Sequence, residues 1–308
     1  SFPATLLRGA GRLIAAWPLN ENLNDLSANG LHLRPEGRVR IAAGSLALTG
    51  SGWVQRSGLA PELFPASGWT LSFWFRAGDH GPIFSAWDAV RSRASLRVTL
   101  AADGAVVVQA WGRGLLRQWT NASVRAVAAG SGWHQALLAW RPTTGLTLYL
   151  DGTLSCSSVA LSVGATLLQP ARLDRLRLGA ESGPAEWDAP YVGSLATVLC
   201  FGEWLDEAAA RALYALGHEG DPGELLRADA DADGLPDCWE EAWLETREMT
   251  GNDDPDGDGL DNAAEQARGC DPLKADSDGD GLDDGDEVTV HHTDPLKADS
   301  DGDGLGDG

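Results

Sequence analysis

The chain reads as an all-β sandwich of the jelly-roll type followed by a loop-rich repeat array with short helices, and three observations predict this. Short apolar runs with period-2 alternation, separated by Gly, Pro, Asn and Asp, fill the first two thirds of the chain. The charge balance then breaks: residues 1–219 carry 18 Lys+Arg against 16 Asp+Glu, whereas 220–308 carry 5 against 29. Finally, Asp271 to Leu282 recurs letter for letter as Asp294 to Leu305, 23 residues on. Two physically different segments share the chain, and the change near Gly217–Gly223 sets domains at 1–219 and 220–308.

The strands expected in order are Leu13–Trp17, Leu46–Thr49, Thr70–Arg76, Leu96–Ala101, Ala105–Trp111, His134–Trp140, Leu146–Leu150, Arg172–Leu178 and Gly193–Phe201. Asp103-Gly104 and Asp151-Gly152, each between apolar runs, are hairpin turns. One good helix follows. Asp206 caps it, Glu207 suits its first turn, and Leu205, Ala209, Leu213 and Leu216 form an apolar stripe ending at Gly217.

Composition narrows the function. Apolar residues make up 43% of the chain, enough for a real core, and the net charge is -22. The acidic segment would repel phosphate backbones, which argues against nucleic acid as a partner. No apolar run reaches the ~18 residues that a membrane span needs, so no membrane insertion is expected. The opening Ser-Phe-Pro and the stop at Asp307-Gly308 inside a repeat read as the edges of a mature or excised fragment. Four cysteines (Cys156, Cys200, Cys238, Cys270) without C-x-x-C spacing suit disulfides better than zinc.

Trp17-Pro18-Leu19-Asn20 with Leu23-Asn24-Asp25, then Leu46-Ala47-Leu48-Thr49-Gly50, resembles the opening of LamG-like, concanavalin A-like jelly rolls. Trp69–Phe75, Gly132-Trp133-His134, Leu148–Gly152 and Leu176–Gly179 follow in that family's order, so the resemblance covers roughly Arg12 to Gly217. It implies a jelly roll that makes contacts with a ligand or partner. The family's closing strand usually carries acidic residues after its glycine; Gly193-Ser194-Leu195-Ala196-Thr197 carries none. Some members of the wider superfamily hydrolyse glycans with paired carboxylates on one strand, and that reaction holds the two about 5–5.5 Å apart. No such strand is present, and Glu203-Trp204-Leu205-Asp206-Glu207 lies at a helix start, where acids favour the dipole. The expectation is therefore no enzyme. Of 13 tryptophans, Trp17, Trp74, Trp133 and Trp140 sit at alternating strand positions as core residues do. Trp87, Trp111, Trp119 and Trp187 sit near strand ends or in loops, where an indole either anchors a loop or stacks on a sugar or protein partner.

Aligning the acidic segment on D-x-D-x-D-G-L gives four loops. The first offers Asp229, Asp231, Asp233, the carbonyl of Leu235, Asp237 and Glu240. The second offers Asp254, Asp256, Asp258, Leu260, Asn262 and Glu265, and the third Asp276, Asp278, Asp280, Leu282, Asp284 and Glu287. The fourth offers Asp299, Asp301, Asp303, Leu305 and Asp307, with no acid at position 12. Carboxylates at alternate positions of a curled loop converge on one point, Gly at position 6 allows the turn, and the set matches the oxygen shell of Ca²⁺. The array resembles thrombospondin type 3 repeats and the short calcium repeats of bacterial surface proteins, across about Asp229 to Gly308. Between loops, Pro236–Arg247 reads as a helix. Repeats of this kind often carry an aromatic residue and a Thr where this chain has Cys238 and Cys270, which points to a Cys238–Cys270 bridge; Cys156 and Cys200 pair or remain free. The reading that unites these features is an extracellular, calcium-binding adhesion or structural surface protein. Its partner is a glycan or a surface protein. A carbohydrate-binding module cut from a polysaccharide-degrading enzyme is one alternative, and a self-assembling filament or sheath subunit is another.

Overall fold

The computed structural model describes residues 6, 12–27, 29–57, 64–65, 67–77, 80–88, 93–113, 119–127, 132–158, 166–167, 173–180, 191–223, 227–244 and 249–308. The chain divides into two compact units, Phe2–Gly223 and Glu224–Gly308.

The first unit is antiparallel β structure. Its strands are β1 (Leu13–Trp17), β2 (Arg34–Ala42), β3 (Ser45–Ser57), β4 (Trp69–Ala77), β5 (Gly81–Asp88), β6 (Arg93–Leu100), β7 (Ala105–Arg113), β8 (Trp119–Val127), β9 (Trp133–Arg141), β10 (Gly145–Leu150), β11 (Thr153–Ser158), β12 (Thr166–Leu167), β13 (Leu173–Leu178) and β14 (Val192–Phe201). The 13-residue β3 serves both layers. Its Leu46–Thr49 half pairs with β14 and its Val54–Ser57 half with β13. The first layer runs β11-β10-β9-β4-β14, with β1 beside β14. The second runs from β3 through β13, β5 and β6 to β7, with β2 on β3 and both β8 and β12 on β7.

Period-2 alternation aims one residue set between the layers. Leu71, Phe73 and Phe75 of β4, with Ala136, Leu138 and Trp140 of β9, share one buried cluster with Phe84, Ala86, Leu96, Val98, Leu176 and Leu178 of the second layer. Trp69 and Trp140 are wholly buried and stack at 6.4 Å. Each large apolar side chain so buried contributes about 1.5–3 kcal/mol relative to exposure. The loop after β1 is knitted by Asp25, whose carboxylate accepts from the backbone N–H groups of Ala16, Ser27 and Leu31 at 2.8–2.9 Å. Trp17 adds a donation from Nε1 to the Leu31 carbonyl at 2.8 Å.

Helix α1 (Glu207–Leu216) forms as its sequence requires: Asp206 Oδ1 accepts from the Ala209 N–H at 2.9 Å, and Gly217 ends it at φ +78°. Alternation places Trp74 and Trp133 on the outer face of the first layer rather than in the expected core. Trp74 stacks on Tyr214 of α1 at 5.4 Å, and the half-buried Trp133 stacks on His218 just beyond the helix at 4.6 Å. The asparagine-free β10–β11 turn needs its glycine here, because a Cβ on Gly152 would meet the Arg211 Cα at 3.1 Å.

Strands β2, β5, β8, β11 and the two-residue β12 are not among those expected. Most residues of β2 are exposed, because it lies at a sheet edge with only β3 beside it, and alternation is confined to Val39 and Ile41, which pack against the core. Gly81–Ala86 of β5 is buried on both faces, which erases the same signal.

The second unit has little core. Leu235, Trp239 and Leu244 cluster with Trp243 and Met249 around α2 (Asp237–Trp243). This helix is shorter than the expected Pro236–Arg247, and residues 245–248 lie outside the described set. A second helix, α3 (Asn262–Arg268), has Asp261 as its cap and Gly269 ending it at φ +86°. A short turn at Asp284–Asp286 then runs into a π-helical stretch, Glu287–His291.

None of the four cysteines forms a disulfide, so the expected Cys238–Cys270 bridge is absent. Cys238 is buried in α2 beside Trp239, whereas the Cys270 thiol bonds to Asp284 of the third loop, one repeat further on. Cys156 on β11 and Cys200 on β14 are four strand steps apart, about 19 Å at the usual spacing. A disulfide needs Cα atoms within about 7 Å.

Candidate metal centres in the repeat array

Each of the four loops is wound by the same internal hydrogen bonds. The first carboxylate accepts from the N–H groups of positions 4 and 6: Ala232 and Gly234 on Asp229, Gly257 and Gly259 on Asp254, Gly279 and Gly281 on Asp276, Gly302 and Gly304 on Asp299. The fifth accepts from position 7, as Asp258 does from the Leu260 N–H at 2.7 Å. The ninth accepts from position 2: Ala230 to Asp237, Ser277 to Asp284, Ser300 to Asp307. At position 9 of the second loop, Asn262 instead donates from Nδ2 to the Thr250 carbonyl. Glycine at position 6 sits at φ +92° to +106° in all four loops. Position 4 is also left-handed, and in the first loop Ala232 holds φ +61° there.

These bonds leave a consistent remainder. Oδ2 of Asp233, Asp256, Asp278, Asp280 and Asp284, both carboxylate oxygens of Glu265, Oε2 of Glu287 and Oδ1 of Asn262 are buried with no hydrogen-bond partner. Glu265, Glu287, Asp284 and Asn262 are wholly buried. A carboxylate in that position costs several kcal/mol unless a cation faces it. Ligand oxygens converge accordingly, with all atoms within 4.8 Å of one another in each of these sets: Asp229, Asp231 and Asp233; Asp231, Asp237 and Glu240; Asp254, Asp256 and Asp258; Asp276, Asp278 and Asp280. An all-oxygen donor set fits a hard divalent cation. In the fourth loop Asp301 and Asp303 are exposed, and no buried unpartnered oxygen occurs among its described residues.

The loops also interlock, which the sequence reading did not anticipate. Asp280 and Glu287 of the third loop converge with Asp307 of the fourth within 4.8 Å. Gly285 donates to Asp258, joining the third loop to the second. The repeat period of 22–23 residues was the available signal, since it returns position 9 to the same place in each turn of the array. Burial, then the charges of Asp256, Asp258, Asp254 and Asp284, push Glu265 up to about 8. Burial and Asp278, Asp280 and Asp284 push Glu287 up to about 7, against an opposing hydrogen bond from Thr293.

The tryptophans singled out for binding fall differently. Trp87 is the last residue but one of β5 and is half-buried opposite Arg175 of β13; Trp111 is half-buried on β7. Trp119 opens β8 opposite Arg113, and its side chain lies outside the described set, as does Trp187 altogether. Near α1, Glu203 lies 3.9 Å from Arg12, Asp206 caps the helix, and Glu207 pairs with Arg211. His134 bonds through Nδ1 to Asp151 at 2.9 Å. These acids and the histidine are engaged in structural contacts.

The family described as the concanavalin A-like lectin/glucanases superfamily matches residues 48–209. The chain belongs to this superfamily. The bacterial TSP3 repeat matches 254–275 and 276–298, so the concanavalin A-like unit precedes TSP3 repeats, in the expected order. The first and fourth loops lie outside the matched repeats and share their hydrogen-bond pattern. Among solved structures, the receptor-binding domain of botulinum neurotoxin C/D mosaic serotype is similar at 11% identity and TM-score 0.51, covering 68% of this chain and 52% of that one. The binding domain of botulinum neurotoxin DC, solved with rat synaptotagmin II, is similar at 13% identity and TM-score 0.50, covering 67% and 52%. A structure of botulinum neurotoxin type C, whose cell entry is dependent upon interaction with two ganglioside molecules, is similar at 13% identity and TM-score 0.50, covering 67% and 51%. The chain thus spans about half the length of these structures, and the likeness shows the fold alone. No curated protein matches the chain.

Proposed function

We propose that this protein is an extracellular, non-catalytic recognition module whose sandwich makes contacts and whose TSP3 array is stiffened by calcium. The observation that carries the calcium reading is Glu265, wholly buried with both oxygens lacking a donor and with Asp254, Asp256 and Asp258 around it. Asp256, Asp258, Glu265 and the Leu260 carbonyl, with Asp254, supply the second ion; the equivalent residues of the first and third loops supply theirs. Calcium accepts six to eight oxygens with flexible geometry, whereas Mg²⁺ demands a tighter octahedron. Calcium outside cells is abundant enough to fill structural sites of this kind. The bound ion supplies charge neutralisation at the centre of each loop, and the chain's own contribution is to hold the carboxylates inward on fixed backbone donors.

The sandwich supports recognition rather than catalysis because its acids near α1 are committed to an ion pair and a helix cap, and no described strand carries paired carboxylates. Its structural neighbours include a toxin binding domain in complex with rat synaptotagmin II and a structure of a toxin whose cell entry depends on interaction with two ganglioside molecules, which favours a contact-making role here too. Limited proteolysis with calcium and with chelator tests the reading. With chelator, cuts should accumulate across residues 224–308 while 2–223 stays intact. An array equally resistant in both conditions would sink it.

A further inference from the structure

The second and third loops differ at one residue beside their position-12 glutamates. Cys270 and Thr293 stand at the same place in the repeat, and the backbone N–H of each donates at 3.1 Å to the carbonyl of that glutamate, Glu265 or Glu287. Thr293 also donates its hydroxyl to Glu287 Oε1 at 2.9 Å, which leaves Oε2 alone without a partner. Cys270 has no hydroxyl to give, and both oxygens of Glu265 stay unpartnered although the residue is wholly buried. The Cys270 side chain is wholly buried too; its thiol bonds to Asp284, and Glu265 and Asp258 are close enough to act on it by charge. Backbone donors fix the two aspartates: Ser277 N–H on Oδ1 of Asp284 at 2.8 Å, and Gly285 N–H on Oδ2 of Asp258 at 3.1 Å. Oδ2 of Asp284 keeps no partner. One repeat on, the equivalents of Asp258, Glu265 and Asp284 (Asp280, Glu287 and Asp307) bring ligand oxygens within 4.8 Å of one another.

We infer that Cys270, Asp258, Glu265 and Asp284 form a site for a thiophilic divalent cation of the zinc class at the junction of the second and third loops, with the Cys270 sulfur as the ligand that selects it. Two separate observations carry this. A wholly buried carboxylate with both oxygens unpartnered calls for a cation, and the neighbouring sulfur decides which. Calcium takes oxygen ligands, whereas a thiolate with carboxylates is a donor set for zinc, whose structural sites hold four ligands. A cysteine kept for packing sits among apolar side chains, as Cys200 does in the sandwich cluster. Cys270 faces three carboxylates instead. On binding, the sulfur gives an electron pair to the ion and the thiol proton leaves to solvent. Glu265 has two oxygens, so it can serve this ion and the calcium of the second loop together. The junction of the third and fourth loops, with Thr293 in place of the thiol, stays a hard-cation site. The inference adds a metal to the calcium reading and does not depend on it.

The test is a cadmium titration of the full chain, kept reduced with a non-thiol reductant in saturating calcium and followed by the ultraviolet thiolate-to-cadmium charge-transfer band. One equivalent should saturate the band in the wild type; zinc should then bleach it, and excess magnesium should not. Cys270→Thr, which installs the residue found one repeat later, should abolish the band and keep the calcium-induced circular dichroism change. Should that variant fail to respond to calcium, Cys270→Ser carries the test in its place. Cys238→Ser, at the other thiol of the array, should leave the band intact. Asp284→Asn should weaken cadmium by at least the ~10–100-fold that loss of a residue supporting a metal costs. No band in the wild type overturns the inference, and so does a band that survives Cys270→Thr. A band lost in Cys238→Ser as well, or an affinity untouched by Asp284→Asn, overturns this set of ligands. A chain that binds cadmium in this way but shows no response to calcium would sink the calcium reading alone.

Discussion

The backbone N–H of Gly285 donates to Oδ2 of Asp258 at 3.1 Å, a bond between residues 27 apart that clamps the third loop onto the second. Gly285 has no room for a side chain, since a Cβ would lie 2.1 Å from the Asp258 carbonyl oxygen. Gly285→Ala should therefore destabilise the calcium-loaded array by roughly 1–3 kcal/mol, the usual cost of overpacking. Thermal unfolding in saturating calcium checks this.

Asp284 feels both neighbours: it raises Asp258 and Glu265 of the second loop and Asp278 and Glu287 of the third. Asp284→Ala should weaken two calcium sites, whereas Asp301→Ala, in the exposed fourth loop, should change the calcium isotherm little. Calorimetric titration of the two variants against wild type separates these outcomes. Equal losses would contradict the interlocked arrangement.

Calcium and protons should compete for the array. Glu265 at about 8 and Glu287 at about 7 lie well above the ordinary glutamate value of 4.5, mainly through burial. A raised folded pKa stabilises the calcium-free fold below the unfolded value and loses that contribution as pH rises through the folded one. The calcium-free array should thus be best ordered near pH 4.5 and loosen progressively towards pH 8. Calcium added near pH 6 should release protons. Circular dichroism of the chelated protein across that range, with a pH-stat titration, measures both effects.

The cysteines should behave as buried thiols. Burial, more than any charge, pushes Cys238 up to about 11 and Cys270 up to about 12, so neither is a ready thiolate at neutral pH. Thiol titration should find four reactive groups per chain in denaturant. Chelation under otherwise native conditions should expose Cys238 and Cys270, which lie in the array, and leave Cys200 protected. Two groups instead of four in denaturant would restore a disulfide.

Asp25 should prove structural. Its carboxylate satisfies three backbone donors behind β1, so Asp25→Ala should cost about 2–4 kcal/mol of sandwich stability. Denaturant unfolding of the first unit's tryptophan fluorescence reads this directly.

Local rules written in the chain itself determined much of this protein. Asp206 and Gly217 bound α1 because caps act within one turn, and the loop glycines are legible because a left-handed φ is a property of one residue. The four loops were readable because residues at spacing two converge without help from elsewhere. What crosses between elements was decided only by the tertiary structure. Alternation says that Trp74 faces opposite to Phe73, but not which face meets the core, and α1 settled that by covering Trp74. Pairing of Cys156 with Cys200 stayed open in the sequence because spacing says nothing of distance across strands, and sheet order puts β11 far from β14. Arg177 on Trp53 joins residues 124 positions apart through a β3–β13 pairing. No periodicity in one segment records its partner, because register is fixed by the packing of both faces together.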